Sequence, residues 1–142
     1  MTVNTGVKGT LAKLLATEDL IIEHKNCQTA SFDVKRRVLT LPIWDKASET
    51  VYDLLVSHEV GHALFTPSEW TEHQFKCPQS YVNVTEDARI EKLMKRKYAG
   101  LPKTFFRGYA ELDAQDFFQA SEPDKLNLID RINLQFKIGN YR

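Results

Sequence analysis

From Ser48 onward, Val51, Leu54, Leu55 and Phe65 recur at the three- and four-residue steps of one helix face, and His58 and His62 fall on that same face. Ser48 suits an N-cap and Pro67 a stop, so the spacing predicts one helix between them. Inside it stands His58-Glu59-Val60-Gly61-His62. This segment constrains the chain more than any other. Two imidazoles and a carboxylate on an otherwise apolar helix are costly to bury unless a partner meets them. Core histidines capped by neighbouring carboxylates are the plainer solution, and a shared cation is the other.

Histidines four residues apart project from a helix one turn apart, near enough for both rings to reach one zinc ion at about 2.0–2.1 Å. Glu59 is turned about 100° round the helix from His58, which sets its carboxylate beside such an ion and not on it. There it can act as a general base toward a zinc-activated water, and later return the proton to a leaving amine. Gly61 allows a close approach of another backbone, and the apolar stripe buries the helix that carries the ligands.

A catalytic zinc site takes a third protein ligand and keeps one position open. The run Asn83-Val84-Thr85-Glu86-Asp87-Ala88-Arg89-Ile90-Glu91 supplies the candidates, on a helix expected over 84–98 and ended by Gly100 and Pro102. With Ile90, Leu93, Met94 and Tyr98 as the buried stripe, Asp87 lies near its centre and Glu86 nearer its edge. Glu86 also fits a capping box with Asn83, yet a glutamate is the commoner third ligand of two-histidine zinc hydrolases. Glu86 and Asp87 therefore both stay eligible. The one that is not a ligand, or Glu91 one turn beyond Asp87, could support the second nitrogen of a histidine. Arg89 is expected to pair with these carboxylates, or else to face a developing oxyanion. Tyr81, His73 and Tyr109 are further oxyanion candidates, whereas His24 reads as structural.

The rest of the chain frames this site. Residues 5–17 carry Val7, Leu11, Leu14 and Leu15 at helical spacing. Residues 20–23, 29–32 and 37–41 read as strands, the last two as a hairpin turning at 33–36, with Pro42 closing the ladder. Residues 37–41 are a candidate sheet edge for pairing with an extended substrate, or an ordinary core strand. Residues 67–82 read as an ordered loop, and 104–118 and 123–136 as two more helices. Any specificity pocket is expected from 67–82 and these C-terminal helices.

With 142 residues, 42% hydrophobic, the chain is sized for one domain with its own core over residues 1–142. Its 19 basic and 19 acidic residues cancel, which argues against nucleic-acid binding. Cys27 and Cys77 lack metal or redox spacing and read as reduced thiols. The N-terminal region gathers no apolar run, so neither a signal peptide nor a membrane span is expected, and a cytoplasmic address follows.

Taken together, the segment from Ser57 to Pro67 and the pattern Asn83-Val84-x-Glu86-Asp87-x-Arg89-Ile90-Glu91 resemble the metallopeptidases encoded by tailed bacteriophages. More distantly they resemble the zincin-like region of cobaltochelatase-T-type proteins, which carry a von Willebrand A domain downstream. The resemblance spans roughly residues 30–136, and the two motifs together are far more specific than the first alone. It implies a gluzincin-like site with His58 and His62 as ligands, Glu59 as base and an acid of the second motif completing the metal. It also implies an α+β zincin-like domain, a small twisted sheet with a hairpin packed on a metal-binding helix and several further helices, working in the host cytoplasm. No von Willebrand domain follows, and residues 136–142 read as a connection onward to a longer chain. The expected function is zinc-dependent hydrolysis of a peptide bond in a peptide or protein substrate. The rival is a phage protein that binds a host protein and keeps a structural or vestigial zinc site.

Overall fold

The computed structural model describes residues 3–44, 47–70, 74–119 and 121–139. These form an α+β fold of five α-helices and a small three-stranded mixed sheet. Helix α1 (Thr5–Ala16) leads into strands β1 (Ile21–Lys25), β2 (Ser31–Asp33) and β3 (Val38–Pro42). Helices α2 (Glu49–Phe65), α3 (Gln79–Lys97), α4 (Leu101–Ala114) and α5 (Leu128–Ile138) follow, with a 3-10 turn at Pro123–Lys125. Among the described residues no helix is long and apolar enough to cross a membrane. Cys27 and Cys77 are both free.

The strand order is β1-β3-β2, with β3 parallel to β1 and antiparallel to β2. Strand β3 is therefore the centre of the sheet, and residues 37–41 are not the edge considered from the sequence. The run Val38-Leu39-Thr40-Leu41 is buried on one face through Leu39 and Leu41 and buried or half-buried on the other through Val38 and Thr40, as suits a central strand. The free edges belong to β1 and β2. The hairpin turn follows the sequence closely: Asp33 Oδ1 accepts from the amides of Lys35 and Arg36 at 3.0 and 2.9 Å, and Arg37 closes the turn at φ 58°.

Helix α2 is the axis of the fold, touching α1, α3, α4, β2 and β3. Ser48 Oγ caps it by accepting from the amide of Val51 at 3.2 Å, and the helix ends at Phe65, just before Thr66 and Pro67. Two of the carbonyls at its C-terminal end are held by arginines from different elements. Arg37 donates to Ala63 O and Arg89 to Phe65 O, each at 2.7 Å, so the turn carrying His62 is gripped from the hairpin and from α3. At the other end Tyr52 accepts from the amide of Trp44 and donates to Pro42 O, fastening α2 to the end of β3.

The close approach expected at Gly61 is made by side chains of α3. A Cβ there would lie 2.7 Å from Ile90 Cδ1 and 3.1 Å from Met94 Cγ, both residues fully buried. Gly61→Ala is expected to lower the unfolding free energy by about 1–3 kcal/mol through overpacking. The measurement is a urea titration, in which the midpoint falls while the slope stays constant.

Helix α3 starts at Gln79, behind Pro78, and not near residue 84. The four residues 79–82 assigned to a loop are helical, because Pro78 opens the helix without any side-chain cap to announce it. Asn83 consequently lies inside the helix, and the capping box with Glu86 does not form. Helix α4 starts at Leu101 with Pro102 in its first turn. Helix α5 is capped by Asn127 Oδ1, which accepts from the amide of Asp130 at 3.0 Å.

Candidate metal centre

His58 and His62, one turn apart on α2, present their Nε2 atoms to one oxygen of Asp87 on α3. Asp87 Oδ1 lies 3.0 Å from His62 Nε2 and 3.4 Å from His58 Nε2. Their ligand atoms all fall within 4.8 Å of one another. Tetrahedral ligands at zinc distances stand about 3.3 Å apart, so the spacing of these groups matches one ion between them.

The outer nitrogens decide what the inner ones can do. His62 Nδ1 donates to Thr66 Oγ1 at 2.8 Å, because the Thr66 hydroxyl is itself donating to Glu86 Oε2 at 2.6 Å. A neutral His62 then turns the lone pair of Nε2 toward an oxygen of Asp87 that also carries lone pairs. Only a proton or a metal cation can bridge that contact. His58 has the same character: its Nδ1 lies 3.3 Å from Glu91 Oε2, at ion-pair distance but not as a directed hydrogen bond. Glu91 is fully buried and accepts the Tyr109 hydroxyl at 2.8 and 2.9 Å. His58 is thus backed by the Glu91 carboxylate and His62 by the Thr66 hydroxyl, which Glu86 holds in turn, the kind of outer partner that orients metal-binding histidines.

Without a cation the charges rearrange. Burial works against a charged His58, but Asp87, Glu91 and Glu59 outweigh it and push the imidazole up to about 10. Asp87 is driven well below the usual carboxylate range: burial opposes the shift, and the two histidines overcome it. The folded value of His58 thus exceeds its ordinary 6.5. The stability contributed by its protonated form is complete below about 6.5 and disappears as pH rises through about 10. Metal-free protein should accordingly melt at progressively lower temperature from pH 7 to 10. His58→Gln should flatten that slope, and an unchanged slope would contradict the assignment.

Glu59 is buried beside the histidines, and burial pushes its carboxyl up against the lowering effect of His58 and His62. It lines, with both rings and Asp87, a cleft of about 530 Å³, a size suited to a ligand. One wall is the edge strand β2 with its flanks, contributing Ser31, Phe32 and Val34; the other is Trp70, Phe75 and Val82. From the 67–82 stretch, Pro67, Trp70, Phe75, Gln79 and Val82 line the cleft. Among the described residues none of the C-terminal helices does, and β2 takes that place.

The remaining candidates go elsewhere. The Glu86 carboxylate is engaged by Arg89 at 2.6 and 2.9 Å and by Thr66, so it sits behind His62 and outside the ligand group. Arg89 forms that ion pair and grips α2; it does not face the cleft lining. Tyr109 is turned onto Glu91, and burial, with that carboxylate beside it, raises its hydroxyl well above its ordinary range and keeps it a donor. Tyr81 lines a separate groove with Cys77 and Arg89. His24 is exposed on β1, and His73 lies outside the described residues. Two participants were not read from the sequence: Thr66, whose i+4 spacing from His62 was a usable signal, and Lys137, whose Nζ lies 3.8 Å from Asp87 Oδ2.

No protein-family model, curated protein or solved structure matches this chain.

Proposed function

We propose that this chain is a zinc-dependent hydrolase of peptide or amide bonds, of zincin-like build, with His58, His62 and Asp87 as the metal ligands and Glu59 as general base. The observation that carries the reading is the convergence of two histidine Nε2 atoms on Asp87 Oδ1, with Glu59 beside them at the floor of an open cleft. Two imidazoles and one carboxylate are a donor set suited to zinc. A zinc ion held there would supply Lewis acidity, bringing the pKa of a water toward about 7 and polarising a carbonyl.

The protein's own groups would do the rest. Buried Glu59 is a stronger base than an exposed glutamate, since burial raises its affinity for a proton. It would take the proton of the attacking water and deliver it to the departing amine. Glu91 and the Thr66–Glu86 pair would hold the two rings in place through their outer nitrogens. The open edge of β2 offers backbone groups to an extended chain, and Phe32, Val34, Trp70, Phe75 and Val82 offer apolar surface to its side chains. In this reading the third ligand is the shorter aspartate, Glu86 being committed to Arg89. The same motifs are those that resemble the phage-encoded metallopeptidases.

The test is cleavage of casein and of a broad peptide library by zinc-loaded protein. Cleavage that stops when a chelator removes the metal and returns with zinc supports the reading. A zinc-loaded protein that cleaves neither, yet captures an intact host protein, would favour the binding rival instead.

A further inference from the structure

We propose that Lys137 is a positioning residue for this centre: from the last turn of α5 it holds Oδ2 of Asp87, so that Oδ1 stays aimed at the two histidines. The assignment rests on the metal reading above and extends it to a helix that contributes nothing to the cleft lining. Asp87 divides its two oxygens between opposite directions. Oδ1 faces His62 and His58 at 3.0 and 3.4 Å, and Oδ2 faces the Lys137 ammonium at 3.8 Å. That ammonium is fixed on other sides as well, its Nζ lying 6.0 Å from the ring centroids of both Tyr109 and Phe118. Its side chain is only 15% exposed.

The charges agree with this role. Three carboxyl groups, those of Asp87, Glu59 and Glu91, gather at the two histidines, and Lys137 brings a cation to the first of them. The geometry agrees too. A carboxylate can take an ion through one oxygen or both, and the second mode would draw Oδ2 away from Lys137 and toward the ion. Lys137 therefore opposes the second mode. Lys137 is not among the described residues that line the cleft, so it acts on groups that do, Asp87 by contact and Glu59 through its charge, and not on substrate.

Cobalt substitution tests this directly. Lys137→Met, Lys137→Gln and Lys137→Arg would each be loaded with Co2+, and the visible spectrum, kcat and KM compared with wild type, with circular dichroism as the check on folding. The expected result is that the Met and Gln variants take up one equivalent of Co2+ with a weaker visible band, because a carboxylate binding through both oxygens raises the coordination number. Their kcat should fall about 10–100-fold, the usual effect of losing an outer partner of a metal ligand, with KM unchanged. Lys137→Arg should restore both band and kcat. A wild-type band in the Met and Gln variants, or an Arg variant as defective as they are, would overturn the assignment. Should Lys137→Met fail to fold, Lys137→Gln carries the test, and failure of both to fold would show a structural role and overturn it equally. A wild-type chain that takes up no cobalt would instead overturn the metal reading on which the assignment stands.

Discussion

Glu59→Gln is expected to keep its fold and its zinc while losing hydrolysis by about 10²–10⁴-fold, the range over which a positioned proton acceptor acts. The glutamine matches the glutamate in shape and fills the same buried position, but it has no basic oxygen to take the proton of an attacking water. Stability gives a second, independent readout. Burial raises the Glu59 carboxyl above its ordinary value of 4.5, so it costs the fold stability as pH climbs above that ordinary value, and the cost is complete once pH passes the raised one. Glu59→Gln removes the charge, and the metal-free variant should unfold at an equal or higher urea concentration than wild type. Cleavage assays on zinc-loaded protein and denaturant titration of metal-free protein check the two halves. A variant that still hydrolyses at the wild-type rate would remove Glu59 from the chemistry.

The second large effect separates the two neighbouring acids of α3. Asp87→Ala is expected to weaken zinc binding by more than about 100-fold, beyond the 10–100-fold range of an outer partner, because it deletes one of three ligands. Glu86→Ala should stay within that range. It deprives Thr66 and Arg89 of their anion but leaves His58, His62 and Asp87 facing one another. Competition against a chromophoric chelator at fixed pH gives both affinities. If Glu86→Ala proved the more damaging change, the third ligand would have to be reassigned to Glu86.

The residues that announced themselves did so through local rules. Helix α2 was legible because its cap, its stop and its apolar steps all lie within the twenty residues between Ser48 and Pro67, and His58, Glu59 and His62 travel with it. The hairpin was legible from Asp33 and its turn. What depended on distant pairing was not. Whether β3 is an edge or a centre is settled by β1, which reaches it in parallel from the far side, and no short stretch of sequence encodes that order. The ambiguity between Glu86 and Asp87 had a local origin. With no side-chain cap at Pro78, nothing local marks the start of α3, and a helix read from residue 84 gives Glu86 a capping role that the longer helix does not provide. Lys137 gave no signal at all. It follows Phe136 near the end of an amphipathic pattern, and only the packing of α5 against α3 brings its ammonium to Asp87.

Zinc K-edge absorption on protein loaded with one equivalent of the metal tests the centre most directly. The expected first shell is nitrogen and oxygen only, at about 2.0–2.2 Å, with the outer-ring scattering of two imidazoles that vanishes in the His58→Ala, His62→Ala double variant. A sulfur scatterer at about 2.3 Å, which would place the ion on Cys27 or Cys77, or a shell identical in the wild type and the double variant, would contradict it.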